Sequence, residues 1–196
     1  MESKNELRKR ILKIRNNMSK EDVEKNSRAI TDRITSLDIY KQSKVVFIYM
    51  DFKNEVMTSN LIRHMLSEKK RVVIPYTDTI NTVLIPSEIT READLKLNPF
   101  GYYEPKSISP VNIEEIELVI VPGVVFDKNL NRIGFGKGYY DKILNKLKPS
   151  AKKLAVAHEF QVLEIIPAEE HDVKMDMIIT EKNIYPLSGD CNYINF

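Results

Sequence analysis

The stretch "KVVFIYM", from Lys44 to Met50, decides how this chain folds. It is a short, continuous apolar run rich in β-branched and aromatic residues, which is typical of a strand buried on both faces. Such a strand belongs to a parallel sheet, where a crossover segment must precede the next strand. Thr58 to Lys70 has the apolar spacing of a helix, and "RVVIP" from Arg71 forms a second strand. These segments predict a βαβ unit.

The rest of the chain continues the alternation of strands and helices. Further apolar runs of strand length begin at Thr82, Glu117, Lys153 and Met177. The last three of these runs are separated by a predicted helix from Tyr139 to Leu147 and by a short connection through residues 161–167. The pattern predicts an α/β fold with a layered, mostly parallel β-sheet flanked by helices on both faces.

Two helices are predicted ahead of the first strand. Residues 5–18 place apolar side chains at helical spacing on an otherwise basic helix. The predicted stripe consists of Leu7, Ile11, Ile14 and Met18. Ser19 has the position of an N-cap, with Asp22 three residues later, and a second helix follows. Its predicted inward residues are Val23, Ile30, Ile34 and Leu37.

Length and composition predict one ordinary globular domain over residues 1–196. A formal net charge of +2 gives no support for nucleic-acid binding. The first residues lack the apolar core of a signal peptide, and no apolar run reaches membrane-spanning length. The single cysteine, Cys191, cannot form an intramolecular disulfide. We therefore expect a cytoplasmic monomer with no nucleic-acid or membrane partner.

The segment "RIGFGKGYYDK", from Arg132 to Lys142, is the first candidate site. Three glycines in five residues allow a ligand to approach the backbone closely, and a predicted helix follows. Phosphate is the ligand that such a loop suits best. The spacing fits neither the dinucleotide fingerprint nor the P-loop. A glycine-rich turn that closes a hairpin is the alternative, although the cations Arg132 and Lys137 favour an anion site.

Two acidic residues are candidate Mg²⁺ ligands. Asp141 follows the glycine loop, and Asp172 lies in an acidic cluster before the last strand. Mg²⁺ prefers one or two carboxylates together with phosphate oxygens. Both residues also have simpler explanations: Asp141 would suit the start of a helix, and Asp172 would suit a solvated turn. The loop from Asn98 to Pro110, rich in proline, is a further candidate binding segment.

The longest of these motifs resembles the 5-formyltetrahydrofolate cyclo-ligase family. The resemblance is strongest in "VIVPGVVFDKNLNRIGFGKGYYDKIL", from Val119 to Leu144. Shorter segments elsewhere agree in the family's order: "KNELRKRIL", "IYMDFKNEVMT", "NPFGYYEP", "AHEFQ" and "IPAEEHDVKMDMIITE". Lys137 departs from the glycine that many members have there, and residues 77–94 match only loosely.

The resemblance implies an enzyme that converts 5-formyltetrahydrofolate to 5,10-methenyltetrahydrofolate with ATP and Mg²⁺, releasing ADP and phosphate. The implied ATP-binding residues are Lys4, Arg8, Arg132, Gly134, Gly136, Lys137, Gly138, Tyr139 and Tyr140. The implied folate-binding residues are Met50, Glu55, Phe135, Gly136, Lys137, Gly138 and Tyr139. Arg132, Lys137 and Tyr140 are the implied catalytic residues, and Asp141 and Asp172 the implied metal ligands.

Simpler explanations stay open for several of these residues. Lys4 and Arg8 lie at i and i+4, so they can reach one anion or can form a solvated basic face. Met50 by itself is typical of a core residue, and Glu55 by itself is typical of an exposed acid ahead of a helix. His171 suits either a phosphate contact or a structural role. We expect one of the adjacent Tyr139 and Tyr140 to face the site and the other to pack inward.

Two other functions compete with the cyclo-ligase hypothesis. A non-catalytic nucleotide or RNA-binding module would use the basic first helix and the glycine loop, but it lacks interleaved aromatics and a strong positive charge. The second competing function is that of an enzyme of the same fold that acts on a CoA or sugar-phosphate substrate. Dependence on ATP distinguishes it from the cyclo-ligase.

Overall fold

The helices and strands follow the order predicted from the sequence. A computed structural model describes residues 2–186, so Cys191 lies outside the described residues. The helices are α1 (Lys4–Asn16), α2 (Lys20–Ser36), α3 (Asp38–Gln42), α4 (Ser59–Ser67) and α5 (Tyr139–Leu144). The strands are β1 (Val45–Ile48), β2 (Arg71–Asp78), β3 (Val83–Ile89), β4 (Leu95–Leu97), β5 (Tyr103–Pro105), β6 (Leu118–Val121), β7 (Val125–Asp127), β8 (Arg132–Ile133), β9 (Lys152–Val156), β10 (Val162–Leu163), β11 (Met177–Ile179) and β12 (Ile184–Pro186).

The main sheet confirms the predicted α/β class. Within the described residues it has seven strands in the order β12-β11-β9-β6-β1-β2-β3. The inner strands pair in parallel, and only the edge strands β3 and β12 run antiparallel to their neighbours. The predicted βαβ unit, β1-α4-β2, lies in this sheet. Within the stretch "KVVFIYM", all four residues of β1 are buried, as predicted for a strand covered on both faces.

Side chains that alternate along the strands pack into two cores on opposite faces of the sheet. Val46 and Ile48 join the core formed with α2, α3 and α4. Phe47 points the other way and packs in the core that includes Ile143 and Leu144 of α5. Because successive residues of a strand point to opposite faces, helices cover both sides, as predicted.

The first helix packs on a second, smaller sheet instead of the main one. This sheet has the order β10-β7-β8, and its Val125 and Ile133 contact Leu7 and Ile11 of α1. The predicted α1 stripe is wrong at two positions. Ile14 is 44% exposed whereas Arg15 is 1% exposed, and Met18 lies beyond the end of α1 at Asn16. The i, i+4 series from residue 7 reaches residue 15, so the charged side chain occupies the buried position.

Three segments differ from the predictions in detail. The loop from Asn98 to Pro110 contains β5, which pairs with β4 in a small hairpin. The connection through residues 161–167 contains β10. The helix predicted from Tyr139 to Leu147 ends at Leu144. Only the dipole of a short helix therefore acts on the glycine loop.

The order of the strands defines where a ligand can bind. The chain runs outward from β1 through β2 to β3, returns to the other side of β1 at β6, and then continues to β9 and β11. The direction therefore reverses between β1 and β6. In open α/β sheets, ligands bind at this switch point, outside the carboxyl ends of the strands. No helix within residues 2–186 is long and apolar enough to span a membrane.

A core substitution tests the central position of this sheet. Ile120 of β6 is 0% exposed, whereas Ile80 in the turn between β2 and β3 is 91% exposed. We expect Ile120→Ala to lower the free energy of unfolding by about 2–5 kcal/mol, because it leaves a cavity in a close-packed core. Ile80→Ala is the matched control and should change it by less than about 0.5 kcal/mol. Urea denaturation measures both; similar small effects would contradict the assigned burial.

Candidate active site

A cavity of about 480 Å³ opens at the switch point between β1 and β6. Tyr49 and Met50, just after β1, and Pro122, just after β6, contribute to its wall. All the binding, catalytic and metal-ligating residues that the family resemblance implies line it: Lys4, Arg8, Met50, Glu55, Arg132, Gly134, Phe135, Gly136, Lys137, Gly138, Tyr139, Tyr140, Asp141 and Asp172. The fold thus brings four distant segments of the chain to one site.

The glycine loop, residues 134–138, leads from β8 into α5. The hairpin that precedes it is closed by residues 127–131, where the Asp127 carboxylate accepts hydrogen bonds from Asn129 and Asn131. The glycine loop is therefore not the hairpin turn, which was the alternative explanation. Gly136 and Gly138 have φ of 92° and 69°, a conformation that disfavours residues with a Cβ.

Two arginines hold the glycine loop in place. Arg8 Nε donates a hydrogen bond of 2.8 Å to the carbonyl oxygen of Gly134. Arg132 lies so close that a Cβ on Gly134 would be 2.6 Å from its terminal nitrogen. The bare backbone is thus needed for close packing of a guanidinium as well as for access by a ligand.

The backbone N–H groups of the glycine loop are available to a ligand. Within residues 2–186, none of the N–H groups from Gly134 to Gly138 donates to a protein acceptor. Phe135, Gly136 and Lys137 are exposed. Successive free N–H groups beside cations form a concave site for an anion.

The cations and the carboxylates of the cavity are paired across it. Lys4 Nζ contacts the Asp172 carboxylate at 2.7 Å, and Arg132 forms an ion pair with Asp141. Burial opposes ionisation of Asp172, but hydrogen bonds from Lys4 and from the Glu169 N–H outweigh it and lower the pKa of Asp172. Lys4 and Arg8 therefore point into the site, and the alternative of a solvated basic face does not hold for them.

The donor set of the cavity fits Mg²⁺ bound together with a polyphosphate. Asp141 and Asp172 supply carboxylate oxygens on the same cavity wall as the glycine loop. Within the described residues, no group of three or more His, Cys, Asp or Glu is placed to hold a metal by itself. Mg²⁺ commonly takes one or two carboxylates and completes its shell with phosphate oxygens and water.

Both tyrosines after the glycine loop line the cavity, so the expected division between site and core is too simple. Tyr140 also packs into the core, where its ring centroid lies 6.3 Å from that of Phe47. Its hydroxyl is buried and has no hydrogen-bond partner among the described residues. Burial raises the pKa of Tyr140, so the hydroxyl keeps its proton at neutral pH and can donate it to a ligand.

Glu55 is a buried acid at the cavity wall, and the alternative of an exposed acid is wrong. Only 6% of the residue is exposed, and its carboxylate accepts a hydrogen bond of 3.0 Å from the Phe52 N–H. Burial raises the pKa of Glu55 to about 7, although Arg15 and the Phe52 N–H act in the opposite direction. Met50 is half-buried against the core and lines the cavity, so both of its interpretations apply.

Sequence reasoning missed a set of aromatic and polar residues in the cavity. They are Tyr49, Phe52, Pro75, Thr77, Thr79, Leu84, Phe100 and Tyr102. Phe52 packs edge-on against Tyr102, and Phe100 stacks on Tyr102 with ring centroids 6.5 Å apart. Only the loop from Asn98 to Pro110 signalled this wall, because residues 77–94 carry no pattern that points to a ligand.

His171 does not line the cavity. Its side chain is 78% exposed and lies 3.5 Å from the Glu169 carboxylate. The structure therefore favours a surface role over the alternative of a phosphate contact.

The fold and the cavity define an α/β protein with a glycine loop at the switch point of its parallel sheet, where the loop N–H groups are free and cations lie beside them. The family model described as "5-formyltetrahydrofolate cyclo-ligase family" matches residues 1–181, and the chain belongs to this family of ligases.

Named relatives and a solved structure agree with this membership. The chain is 29% identical to the 5-formyltetrahydrofolate cyclo-ligase of Haemophilus influenzae, over 89% of this chain and 95% of the relative. It is 32% identical to that of Saccharomyces cerevisiae, over 91% and 95% respectively. The NMR structure of 5,10-methenyltetrahydrofolate synthetase from Aquifex aeolicus superimposes with a TM-score of 0.85 at 35% identity, covering 98% of this chain and 96% of that one.

The raised pKa of Glu55 predicts a pH-dependent stability. As pH rises from about 4.5 to 7, the carboxyl ionises in the unfolded chain but stays protonated in the folded protein. The unfolded state then binds fewer protons, so the free energy of unfolding falls through this window. Glu55→Gln keeps an acceptor for the Phe52 N–H but has no charge. The free energy of unfolding of the unmodified protein should fall by about 2–3 kcal/mol more over this pH window than that of Glu55→Gln.

Urea unfolding between pH 4.5 and 8 measures this effect. Glu114→Gln, which alters an exposed carboxylate, is the control and should reproduce the unmodified profile. An unchanged fall in Glu55→Gln would show that Glu55 titrates like a solvent-exposed acid.

Proposed function

We propose that this protein converts 5-formyltetrahydrofolate to 5,10-methenyltetrahydrofolate with ATP, releasing ADP and phosphate. The observation that carries the proposal is the convergence of all the candidate residues on one cavity at the switch point of the sheet. Membership of the cyclo-ligase family supports the reaction. Family membership also supports ATP as the co-substrate, because the formyl oxygen must be activated before the ring can close.

The phosphate half of the proposed site consists of the glycine loop and four cations. The free N–H groups of residues 134–138 would donate to phosphate oxygens, and Lys4, Arg8, Arg132 and Lys137 surround them. Charge-assisted hydrogen bonds of this kind are about twice as strong as neutral ones. Such a site binds a polyphosphate without the sequence of a P-loop.

The ion pairs across the cavity suit the binding of ATP with its metal. Asp141 and Asp172 would hold Mg²⁺, which when bound would neutralise charge on the phosphates. Arg132 and Lys4, which these carboxylates contact, would then turn to phosphate oxygens. Each charged side chain thus exchanges one partner of opposite charge for another, so none is left unpaired in a half-buried site.

The folate half of the proposed site lies toward Met50 and Glu55. Glu55 would accept hydrogen bonds from N–H groups of the pterin, with Met50 and Phe135 packing on the ring. The loop backbone at Gly136 and Gly138, with Lys137 and Tyr139, would contact the edge of the folate nearest the phosphates. Phe52, Phe100 and Tyr102 give the opposite wall an aromatic surface for the remaining flat part of the ligand.

The proposed chemistry begins with the formyl group on N5, whose oxygen is a poor leaving group. This oxygen attacks the γ-phosphorus of ATP, ADP leaves, and an iminium phosphate forms. N10 then adds to the iminium carbon and loses its proton to solvent or to the departing phosphate. The C–O bond breaks, phosphate leaves with the bonding electrons, and the methenyl bridge between N5 and N10 is complete. Protein groups mainly position the reactants and stabilise charge in such a transfer.

Three side chains have the clearest catalytic positions. Arg132 and Lys137 would stabilise charge on the transferring phosphoryl group. Tyr140 would donate its buried hydroxyl proton in a hydrogen bond to the reacting centre, since no described protein group accepts it. The Arg132 Nε is likewise buried without a partner among the described residues.

Three predictions about the whole protein complete this proposal. We expect residues 1–196 to form a single domain that acts as a monomer. We expect a cytoplasmic location and no nucleic-acid partner. The structure weakens the case for the basic first helix as a nucleic-acid surface, since Lys4 and Arg8 face the cavity and Arg10 pairs with Glu2.

The reaction itself is the first test. The purified protein with 5-formyltetrahydrofolate, ATP and Mg²⁺ should form a product with the near-ultraviolet absorbance of a methenyl folate and one equivalent of ADP. Omission of ATP should abolish both signals. Turnover of a CoA or sugar-phosphate substrate without ATP would instead support the competing enzyme of the same fold.

Asp141→Asn tests the proposed metal ligand. The amide keeps the size of the side chain but lacks the negative charge, so we expect turnover to fall by about a hundredfold while the circular dichroism spectrum stays unchanged. Binding of Mn²⁺ in the presence of ADP, followed by electron paramagnetic resonance, should weaken as well. Asp32→Asn, an exposed carboxylate of α2, is the matched control. Normal turnover in Asp141→Asn would return Asp141 to a helix-capping role.

The double substitution Lys4→Ala, Arg8→Ala tests the phosphate assignment. Hydrogen bonds to charged groups contribute about 1.5–3 kcal/mol each, so the KM for ATP should rise at least about tenfold more than that for folate. Lys9→Ala, Lys13→Ala is the control, because these exposed lysines of α1 have the same spacing. Equal increases of the two KM values would place Lys4 and Arg8 outside the ATP site.

A further inference from the structure

Arg15 is a buried cation directly behind the proposed folate site. It lies near the end of α1 and is 1% exposed. It does not line the cavity, whereas Glu55 and Phe135, which it contacts, both do. Removing a charge from water costs several kcal/mol unless partners compensate it, so the position of this guanidinium calls for a physical reason.

The guanidinium of Arg15 joins three separate parts of the site. One terminal nitrogen donates to the carbonyl oxygen of Gly123, after β6, at 3.3 Å and lies 3.8 Å from a Glu55 oxygen. Its central carbon lies 5.4 Å from the centroid of the Phe135 ring, within the range of a cation–π interaction. The Arg15 carbonyl oxygen also accepts a hydrogen bond of 2.9 Å from the side chain of Asn54.

The geometry is not that of an ion pair optimised for stability. A charge-assisted hydrogen bond between guanidinium and carboxylate has a length of about 2.7–2.9 Å, whereas this contact is 3.8 Å. The Arg15 Nε is buried with no partner among the described residues, which costs about 1–3 kcal/mol. The positive charge therefore acts on Glu55 mainly at short range through the low-dielectric interior.

The groups that face Glu55 come from several elements. Asp51 lies in the same bend, Tyr49 at the end of β1, Tyr140 on α5 and Arg15 on α1. Arg15 is the cation of this set. Burial raises the pKa of Glu55 and Asp51 raises it further, whereas Arg15 lowers it.

We propose that Arg15 is a positioning residue whose positive charge acts on the Glu55 carboxyl and orients it toward the folate, while its guanidinium supports the Phe135 ring at the glycine loop. The inference rests on the proposed contact between Glu55 and folate. It links the folate half of the cavity to the phosphate half through one buried side chain. Neither residue spacing nor the family resemblance assigns this role.

The dissociation constant of 5-formyltetrahydrofolate, measured by calorimetry without ATP from pH 5.5 to 9, tests the proposal. Without the Arg15 charge, Glu55 ionises only at higher pH. We therefore expect Arg15→Met to move the midpoint of the pH dependence of binding upward by about one unit, which weakens binding about tenfold at pH 6 and about threefold at pH 7.5. Arg15→Lys keeps the charge and should keep the midpoint. Arg10→Met, which removes an exposed cation of the same helix, is the matched control.

The double variant Arg15→Met, Glu55→Gln separates positioning from a general structural role. If Arg15 acts through Glu55, the double variant should bind folate about as well as Glu55→Gln alone. It also leaves no unpaired buried charge, so it remains informative if Arg15→Met does not fold. Binding more than about tenfold weaker than in Glu55→Gln would overturn the proposal.

A carboxyl ¹³C NMR titration of Glu55, assigned by its absence in Glu55→Gln, distinguishes the two proposals. If Glu55→Gln binds folate normally, the Glu55 contact is wrong, and the titration then decides the role of Arg15 alone. An upward shift of the Glu55 midpoint in Arg15→Met supports the electrostatic link. If the Glu55 midpoint does not shift in Arg15→Met, the proposal for Arg15 is overturned, whether or not this variant binds folate more weakly.

Discussion

The glycine loop, held by Arg8 and Arg132 with its N–H groups free, is the constraint on which the rest of the site depends. A backbone that presents several free donors is unstable in a folded protein unless neighbouring groups fix it. Arg8 fixes it by bonding to the Gly134 carbonyl oxygen, and Arg132 packs where a side chain on Gly134 would clash. The same two cations line the cavity together with the loop, so the residues that fix the loop also form the proposed phosphate site.

The topology of the sheet explains why distant segments meet at this loop. The reversal between β1 and β6 opens a crevice at their carboxyl ends, and the residues that follow β1 and β6 form its wall. The small sheet β10-β7-β8 carries the glycine loop and also receives α1. Lys4 and Arg8 are thereby brought to the loop from the far end of the chain. Packing of Leu7 and Ile11 places these cations, since all four lie on one helix.

Much of the fold and of the site could be predicted from the sequence, for identifiable reasons. The βαβ unit was predictable because "KVVFIYM" is apolar without a break and is followed by a helical pattern. The binding residues were predictable only through the resemblance of one long motif. Glu55 looked like a surface acid, because burial of a charge depends on tertiary packing.

Arg15 and the aromatic wall could not be predicted. A 3.6-residue period leaves residues 14 and 15 almost equally placed to face inward, and the sequence favours the isoleucine. Packing against the small sheet selects the arginine instead. Phe52 and Tyr102 meet across the cavity from segments far apart in sequence, so no local pattern signals their contact.

Binding of the ATP polyphosphate by the backbone of residues 134–138 is the proposal on which the other site assignments depend. It can be tested by backbone amide NMR shifts, recorded while a non-hydrolysable ATP analogue and Mg²⁺ are added, with adenosine as the control. We expect the largest downfield changes at the N–H groups of residues 134–138 with the analogue and small changes with adenosine. Saturating binding of the analogue that leaves these five amides unshifted would contradict it.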